Sequence, residues 1–334
     1  MTRERSAMKV WRRRVLVWAV CAAAGIAAVP LWSQVAKPIS GESEQVSEAG
    51  RTLGSIPVIS EGPSRRGSYN NSYGFPPTSL AYYLDQAQVY FVRPGLILTV
   101  TSASFASDGT ITAHLTVTDN VGLPLDIHGV YTPGPVSISF SVATIPNGQE
   151  QYENYILSTT STGFTQPGSD STGVFTQTAP GAYTYTFAHK VPATFDPTAT
   201  QTVAAWASRN LTSFNLGTQY SNSVYNWVPN GSPVTHIRDV LETQSCNQCH
   251  DPLSAHGGSR QLVTVCVTCH TPQNSDVNGV PLDLKVMIHK IHMGSSLPSV
   301  KYGALPYQIY GHGGYADFSA VVYPSNPADP RNCA

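Results

Sequence analysis

The stretch CNQCHDPLSAHGGSRQLVTVCVTCH, residues 246–270, contains the pattern C-x-x-C-H twice. The first copy runs from Cys246 to His250 and the second from Cys266 to His270. This pattern is the attachment signature of c-type haem, because two thiols on one tight turn meet both vinyl groups and the next histidine reaches the iron. The stretch therefore predicts two covalently bound haems. The predicted residues are Cys246, Cys249, Cys266 and Cys269 for attachment and His250 and His270 for the iron.

Two other kinds of site fit the cysteine spacing. Two C-x-x-C pairs separated by residues 250–265 also match a four-cysteine zinc site, and one pair alone matches a redox dithiol. The residue after each pair separates these alternatives, since a zinc site or a dithiol does not need histidine there. Haem attachment is the favoured interpretation of the two motifs, and a zinc site is the main alternative.

Each predicted iron also needs a sixth ligand, a water molecule or an open position. His256 precedes two glycines that allow the backbone to turn tightly against a flat ring. His289 and His292 are spaced i and i+3 on a predicted helix, so both can face a haem cluster. His312 repeats the His-Gly-Gly pattern, and His236 lies on the predicted helix that leads into the site. Ligation by two imidazoles implies a low-potential carrier without a free substrate position, whereas Met287 or Met293 would raise the potential.

The C-terminal residues suggest a further motif. The sequence ends with Cys333-Ala334, which is how another C-x-x-C-H could begin. We therefore expect a fragment that stops inside a third attachment motif, with Cys333 as its first thiol. The alternative is a natural terminus with one free cysteine.

The N-terminus and the cysteine distribution indicate export. A basic start, including Arg3 and Arg12, precedes an almost wholly apolar run over 15–32, which favours a signal peptide over an N-terminal anchor for residues 1–33. Apart from Cys21, every cysteine follows residue 245, unlike the distribution in a disulfide-stapled secreted protein. We expect the protein to be located in the periplasm, in the outer membrane or at the cell surface of a Gram-negative-type bacterium. A net charge of -1 gives no indication of nucleic-acid binding.

The middle of the chain predicts an antiparallel β domain. Residues 34–78 are rich in Gly, Ser, Glu and Pro and predict a flexible linker, and a stretch rich in β-formers begins near Ala81. Apolar residues then alternate with polar ones over 110–117, 136–142 and 183–187, with turn signals between them. Residues 79–231 are therefore predicted to form an all-β, sandwich-like or barrel-like domain.

The remaining residues, 232–334, predict a loop-rich multihaem domain with short helices. Ser232 and Pro233 are suited to the start of a helix that leads toward Cys246. Asp283 is suited to cap a second helix, on which Leu284 and Ile288 share one stripe. Sparse secondary structure is consistent with a core built largely from porphyrin.

The motifs resemble those of the OmcA/MtrC family of outer-membrane decahaem c-type cytochromes. The resemblance is carried by residues 246–260, 266–273, 286–294 and 329–333, with weaker similarity over 92–96 and 183–187. It implies a β domain followed by a haem domain, ligation of iron by two histidines, and electron transfer across or beyond the outer membrane to metal oxides, soluble acceptors or other cytochromes. This sequence has two complete motifs, so the complete conduit of the family is not represented in it.

Three functional hypotheses follow. The first is an electron carrier working through haem c with redox partner proteins. The second is an exported β-rich binding or adhesion module with a structural zinc site. The third is a multihaem reductase with one open iron, which would make the chain an enzyme.

Overall fold

The computed structural model describes residues 74–159, 163–311 and 314–323. The predicted signal peptide, most of the predicted linker, His312 and Cys333 lie outside the described residues. The predicted division at residues 231 and 232 stays a prediction. Below, residues 74–231 are called the β segment and residues 232–323 the motif segment.

Strands dominate the β segment, and short helices occur mainly in the motif segment. The strands are β1 Ile97–Phe105, β2 Thr110–Thr118, β3 Val136–Ile145, β4 Glu153–Asn154, β5 Leu157–Thr159, β6 Thr165–Pro167, β7 Val174–Ala179, β8 Ala182–Lys190, β9 Thr200–Asn210, β10 Thr218–Trp227, β11 Gln308–Gly311 and β12 Gly314–Asp317. The helices are α1 Gln86–Val92, α2 Thr243–Asn247, α3 Val263–Cys266, α4 Leu284–Met293 and α5 Pro298–Lys301, with 3₁₀ turns at Leu80–Tyr83, Thr212–Phe214 and Gly294–Ser296.

Two four-stranded antiparallel sheets form a sandwich. Their strand orders are β1-β2-β8-β7 and β10-β9-β3-β4. The main core contains Ile111 and Leu115 from β2, Tyr185 from β8, Phe140 from β3 and Val203 from β9. Because these side chains come from both sheets, the predicted all-β sandwich is confirmed, and the alternation of polar and apolar residues identified its inner faces.

One pair of sheet edges is joined by side chains. The hydroxyl of Ser221 accepts a hydrogen bond from the backbone N–H of Leu98 at 2.9 Å, and that of Ser223 accepts one from Val100 at 2.9 Å. These serines of β10 therefore satisfy N–H groups on the edge strand β1, which would otherwise be left unpaired.

The second sheet is covered on both faces. Nearly every residue of β9 is buried, including Ala204 and Trp206, which face away from the main core. These two side chains pack with Val265 of the motif segment. Elsewhere on the same outer face, Ala143 of β3 packs with Val263. The motif segment therefore lies on the outer face of this sheet and gives it a second apolar contact layer.

A helical turn and helix α1 occupy residues 80–92, where β-formers begin in the sequence. The stretch of β-formers that begins near Ala81 therefore does not start with a strand, and the first strand of the predicted domain 79–231 begins at Ile97. Asp85 caps α1 by accepting a hydrogen bond from the backbone N–H of Gln88 at 2.8 Å, and the Gln88 side-chain oxygen accepts one from the backbone N–H of Asp85 at 3.4 Å. This capping box overrides the local β propensity. Val89 and Val92 then pack against Leu211.

Arg209 joins α1, the start of β1 and the loop before β3. Its side chain is fully buried and donates hydrogen bonds to the carbonyls of Val92, Arg93, Gly95 and Pro133 at distances from 2.5 to 3.0 Å. Burial lowers the pKa of this guanidinium to about 10. A buried arginine of this kind satisfies several backbone acceptors at once.

The predicted helix after Ser232 is wrong, because residues 232–242 are extended and the helix begins at Thr243. The extended segment lies along the second sheet, where the carbonyl of His236 accepts a hydrogen bond from the Thr200 hydroxyl at 2.9 Å. Val240 and Leu241 pack with Tyr152 and its neighbours. Several β-branched residues in this segment have low helix propensity, and the contacts of Val240 and Leu241 with the sheet favour the non-helical path.

The second predicted helix is confirmed as α4. Asp283 caps it by accepting a hydrogen bond from the Val286 backbone N–H at 3.1 Å. His289 and His292 lie one turn apart on this helix, as their spacing requires. Within residues 74–159, 163–311 and 314–323, no helix is both long and apolar enough to cross a membrane.

A buried carboxylate connects β8 to the loop before β7. The Asp170 side chain is fully buried and accepts hydrogen bonds from the Tyr185 hydroxyl at 2.5 Å and from the ring and backbone N–H groups of His189 at 2.7 and 2.9 Å. Burial alone would raise the pKa of Asp170, but these hydrogen bonds outweigh it and lower the pKa below its ordinary value.

We expect Asp170→Asn to lower the unfolding free energy by about 1.5–3 kcal/mol at neutral pH, because hydrogen bonds to a charged acceptor are lost. A lowered folded-state pKa stabilises the fold above the unfolded value and loses that effect as the pH falls through the folded one. Urea denaturation below about pH 4 should therefore show a smaller acid dependence in the variant than in the wild type. Asp108→Asn, which removes an exposed pair with Lys190, is the control and should change little. Equal effects of the two substitutions would contradict this account.

Candidate haem-binding site

The two C-x-x-C-H motifs adopt the same backbone turn. In the first, the carbonyl of Cys246 accepts hydrogen bonds from the N–H groups of Cys249 at 3.1 Å and His250 at 2.9 Å. In the second, the carbonyl of Cys266 accepts them from Cys269 at 3.1 Å and His270 at 2.9 Å. Each motif is thus one helical turn, in which positions i, i+3 and i+4 share a face. Both thiols and the histidine of each motif therefore lie on one side.

Each motif histidine lies beside a second histidine that was predicted from the sequence as a distal ligand. The ring centroids of His250 and His292 are 6.2 Å apart, and those of His256 and His270 are 6.0 Å apart. The structure therefore brings together two histidine pairs, each consisting of one motif residue and one residue distant from it in sequence. The spacing of the motifs alone left this pairing open.

These separations fit one metal ion between two imidazoles. With metal–nitrogen bonds of about 2 Å, two imidazoles on opposite sides of one ion have centroids about 6 Å apart. Edge-to-face contact between two rings covers the same range, about 4.5–7 Å, so the distances are compatible with a shared ion and with direct contact of the rings. The side chains present in the structure therefore suit a haem iron with two axial histidines at each motif.

Backbone carbonyls orient three of the candidate histidines. The Nδ1 atom of His270 lies 3.0 Å from the Leu282 carbonyl, and that of His292 lies 2.9 Å from the Ile288 carbonyl. His289 makes the same contact with Lys285 at 2.7 Å. Because a carbonyl can only accept, Nδ1 carries the proton in each ring and Nε2 is the atom able to bind a metal.

Burial keeps two of these rings neutral. It lowers the pKa of His270 and of His292, although their hydrogen bonds to carbonyls oppose the change. Neutral imidazole is the form that binds a metal ion.

Four further candidate residues are not placed in either histidine pair. Among the described residues, no ring pair involves His289, although it lies on α4 one turn before His292. His312 and Cys333 lie outside the described residues. Their predicted roles, and that of His289, stay predictions. The His236 side chain is exposed, and only its backbone carbonyl contacts the sheet.

Polar side chains of the β segment surround the second thiol of the second motif. The Cys269 sulfur lies 3.6 Å from the Ser141 hydroxyl and 3.8 Å from the Asn154 amide nitrogen. Asn154 also donates to Ser141 at 2.6 Å and to the carbonyl of Thr268 at 2.9 Å. Strands β3 and β4 thereby hold the second motif in position. Sequence reasoning did not identify these residues, since nothing in the strand pattern shows which loop will cover it.

Strand β10 holds the loop that carries His256. The Tyr220 hydroxyl donates to the carbonyl of Gly257 at 3.0 Å, and Asn222 donates to that of Ser259 at 2.8 Å. A Cβ atom at Gly258 would lie 2.9 Å from the Tyr220 ring, so only glycine permits this approach. His256 itself has a positive φ of 51°, which the surrounding contacts maintain. The β segment therefore positions the second histidine pair from both sides.

The environment of the second motif favours the protonated form of its two thiols. Burial raises the pKa of Cys266 to about 11 and also raises that of Cys269. A raised pKa leaves little of the reactive thiolate at neutral pH, which disfavours a redox dithiol, whereas a bound zinc ion would itself deprotonate the thiols. In the parts of the chain that the structure describes, no group of three or more His, Cys, Asp or Glu side chains is arranged to hold a metal ion.

This chain is similar to known multihaem and outer-membrane cytochromes. A family model described as outer membrane cytochrome MtrC/MtrF-like, domains II/IV, matches residues 238–334. The multiheme cytochrome MtrC of Shewanella baltica (strain OS185) is 33% identical over 138 residues, which is 39% of this chain and 20% of that protein. The crystal structure of the outer membrane decaheme cytochrome OmcA matches with a TM-score of 0.54 and 25% identity over 70% of this chain and 39% of that one.

The chain is similar to cytochromes of the OmcA/MtrC family. The match to OmcA includes most of the chain, and the family model includes both C-x-x-C-H motifs. The predicted resemblance to this family and the β-rich fold followed by a segment with short helices are confirmed. The predicted outer-membrane or cell-surface location agrees with the outer-membrane location in the descriptions of the family model and of OmcA. The chain spans about a fifth of the MtrC protein and about two fifths of the OmcA chain. The activities and partners of the full-length OmcA and MtrC proteins are therefore proposals for this chain.

Proposed function

We propose that this chain is an electron-transfer protein that carries haem c at Cys246–His250 and at Cys266–His270. The observation that carries the proposal is the pair of histidine contacts, His250 with His292 and His256 with His270, at centroid separations of 6.2 and 6.0 Å. A third attachment motif that begins at Cys333 is part of the same proposal. Bound haem supplies one-electron oxidation and reduction of iron.

The residues of the chain hold both candidate sites in fixed positions. The Thr243 hydroxyl accepts a hydrogen bond from the Val263 backbone N–H at 3.0 Å, which ties the helix of the first motif to that of the second. Rigid placement of ligands reduces the rearrangement that accompanies each electron transfer. If His250 with His292 and His256 with His270 each held one iron, no position would be left for a substrate, which would favour a carrier over a reductase.

The partners follow from this chemistry and from the family. We propose that electrons pass between this chain and other cytochromes or redox proteins in the periplasm, in the outer membrane or at the cell surface. Metal oxides or soluble molecules outside the cell are the proposed final acceptors. The net charge of -1 gives no indication of a nucleic-acid partner.

The test is the haem content of the protein produced with its N-terminal segment in a bacterium that matures c-type cytochromes. We expect a Soret band, a pyridine haemochrome spectrum equivalent to two haems for the two complete motifs, and haem that stays attached on a denaturing gel. Replacing Cys246 and Cys249 by alanine should remove one of the two, as should replacing Cys266 and Cys269.

The alternatives give different results in the same measurement. A colourless protein that contains zinc and tolerates His250→Ala and His270→Ala would overturn the proposal in favour of a four-cysteine site. A high-spin haem signal in the wild type, together with small-molecule binding, would favour a reductase. Six-coordinate low-spin spectra for both haems would exclude that alternative.

A further inference from the structure

Arg260 lies at the junction of the two segments, on the loop that carries His256. Its guanidinium carbon is 4.1 Å from the centroid of the Trp206 ring, on the outer face of β9. Its backbone exchanges hydrogen bonds with Ala255 at 3.0 and 3.2 Å, which closes the loop around His256. The side chain is therefore fixed both by the sheet and by its own loop.

The charge of Arg260 has no carboxylate partner among the residues that the structure describes. The ion pairs there join His189 to Asp170 and Lys190 to Asp108. The half-buried guanidinium donates one hydrogen bond to a neighbouring side chain, the Ser259 hydroxyl, at 2.8 Å. A half-buried cation without an anion is costly, so the site is suited to accept an anionic group.

The guanidinium of Arg260 lies close to the second motif, because Trp206, on which it stacks, packs with Val265, the residue before Cys266. Burial lowers the pKa of Arg260, and the nearby Cys269 and Cys266 oppose this change. Arginine suits this position because its planar group can stack on an aromatic ring and still offer paired donors to a carboxylate.

We propose that Arg260 is the counter-ion of a propionate carboxylate of the haem carried by the second motif, and that its fixed positive charge raises the reduction potential of that haem. This inference rests on the proposed function. A positive charge beside the iron favours the state that has gained one electron, because that state carries less positive charge. Trp206 acts as the positioning residue, holding the guanidinium on this side of the motif.

The test is an optical redox titration of the full holoprotein. Arg260→Gln and Arg260→Met both remove the charge, and the methionine keeps an apolar stem on Trp206. In each, we expect the reduction equilibrium constant of one haem to fall roughly threefold to tenfold, equivalent to about 28–59 mV for a one-electron couple. The other haem should be unchanged. Arg260→Lys, which keeps the charge, should stay within twofold of the wild type.

The control is Lys301→Gln, which removes a cation 5.1 Å from the Tyr302 ring and should leave both potentials unchanged. Unchanged potentials in both neutral Arg260 variants, with both haems present, would overturn the inference and leave the proposed function intact. An equal change in Arg260→Lys and Arg260→Gln would also overturn it, since charge would then not be the cause. Wild-type protein without haem would instead mean that the proposed function has failed.

Discussion

Replacing His292 by alanine is expected to convert one of the two haems from a six-coordinate low-spin form to a five-coordinate or water-bound high-spin form. The reason is that the His292 ring lies 6.2 Å from His250 and has its Nε2 atom available for iron. Half of the haem in the two complete motifs should change in the visible and electron paramagnetic resonance spectra. The second haem, which we assign to His256 and His270, should keep its low-spin spectrum.

His289→Ala is the matched control on the same helix. His289 makes the same backbone hydrogen bond as His292, so the two substitutions remove equivalent local interactions. Because His289 has no ring pair among the described residues, its loss should leave both haems low-spin. If His289→Ala gave the high-spin form and His292→Ala did not, the assignment of ligands to the first motif would be wrong.

The predictable parts of this fold are those governed by local pattern. The alternation over Ile111–Val117 identified a strand with one buried face, and Asp283 identified the start of α4. Both patterns depend on residues close in sequence. The extended segment after Ser232 was mispredicted for the complementary reason, since its conformation is set by Thr200 and the sheet, which are distant in sequence.

The same distinction between local patterns and long-range contacts applies to the candidate site. The chemistry of the two motifs and the nomination of His256 and His292 followed from short spacings. The pairing of these residues, and the roles of Asn154, Tyr220 and Arg260, depend on contacts between the β segment and the motif segment. One signal could have pointed to them: β9 has small or apolar residues on both faces, which is typical of a strand covered on both sides.

The contacts between the β segment and the motif segment give the sandwich a role at the second motif. Strands β3 and β4 contact Cys269, β9 supports Arg260, and β10 holds the loop of His256. Haem domains with little secondary structure have few hydrogen bonds of their own to fix ligand positions. We infer that the second sheet provides this rigidity for the second histidine pair, whereas the first pair depends more on α4.

Gly258→Ala is therefore expected to remove His256 from the second iron. The added Cβ would lie 2.9 Å from a carbon of the Tyr220 ring, and the backbone φ of +96° is one that alanine rarely adopts. The loop must then move away from β10 and break the hydrogen bond from Tyr220 to Gly257. We expect the haem of the second motif to become high-spin, while the first haem stays low-spin.

Gly257→Ala separates the effect of this close approach from that of backbone conformation. Gly257 also has a positive φ, +71°, but a Cβ there would meet no atom within 4 Å. This substitution should cost about 1–2 kcal/mol of stability, because alanine in the left-handed region is strained, and should leave the ligands in place. Spectra and urea denaturation of both variants provide the comparison. If the two substitutions changed the spin state equally, strain in the loop would explain the loss, and the contact with Tyr220 would have no part in holding His256.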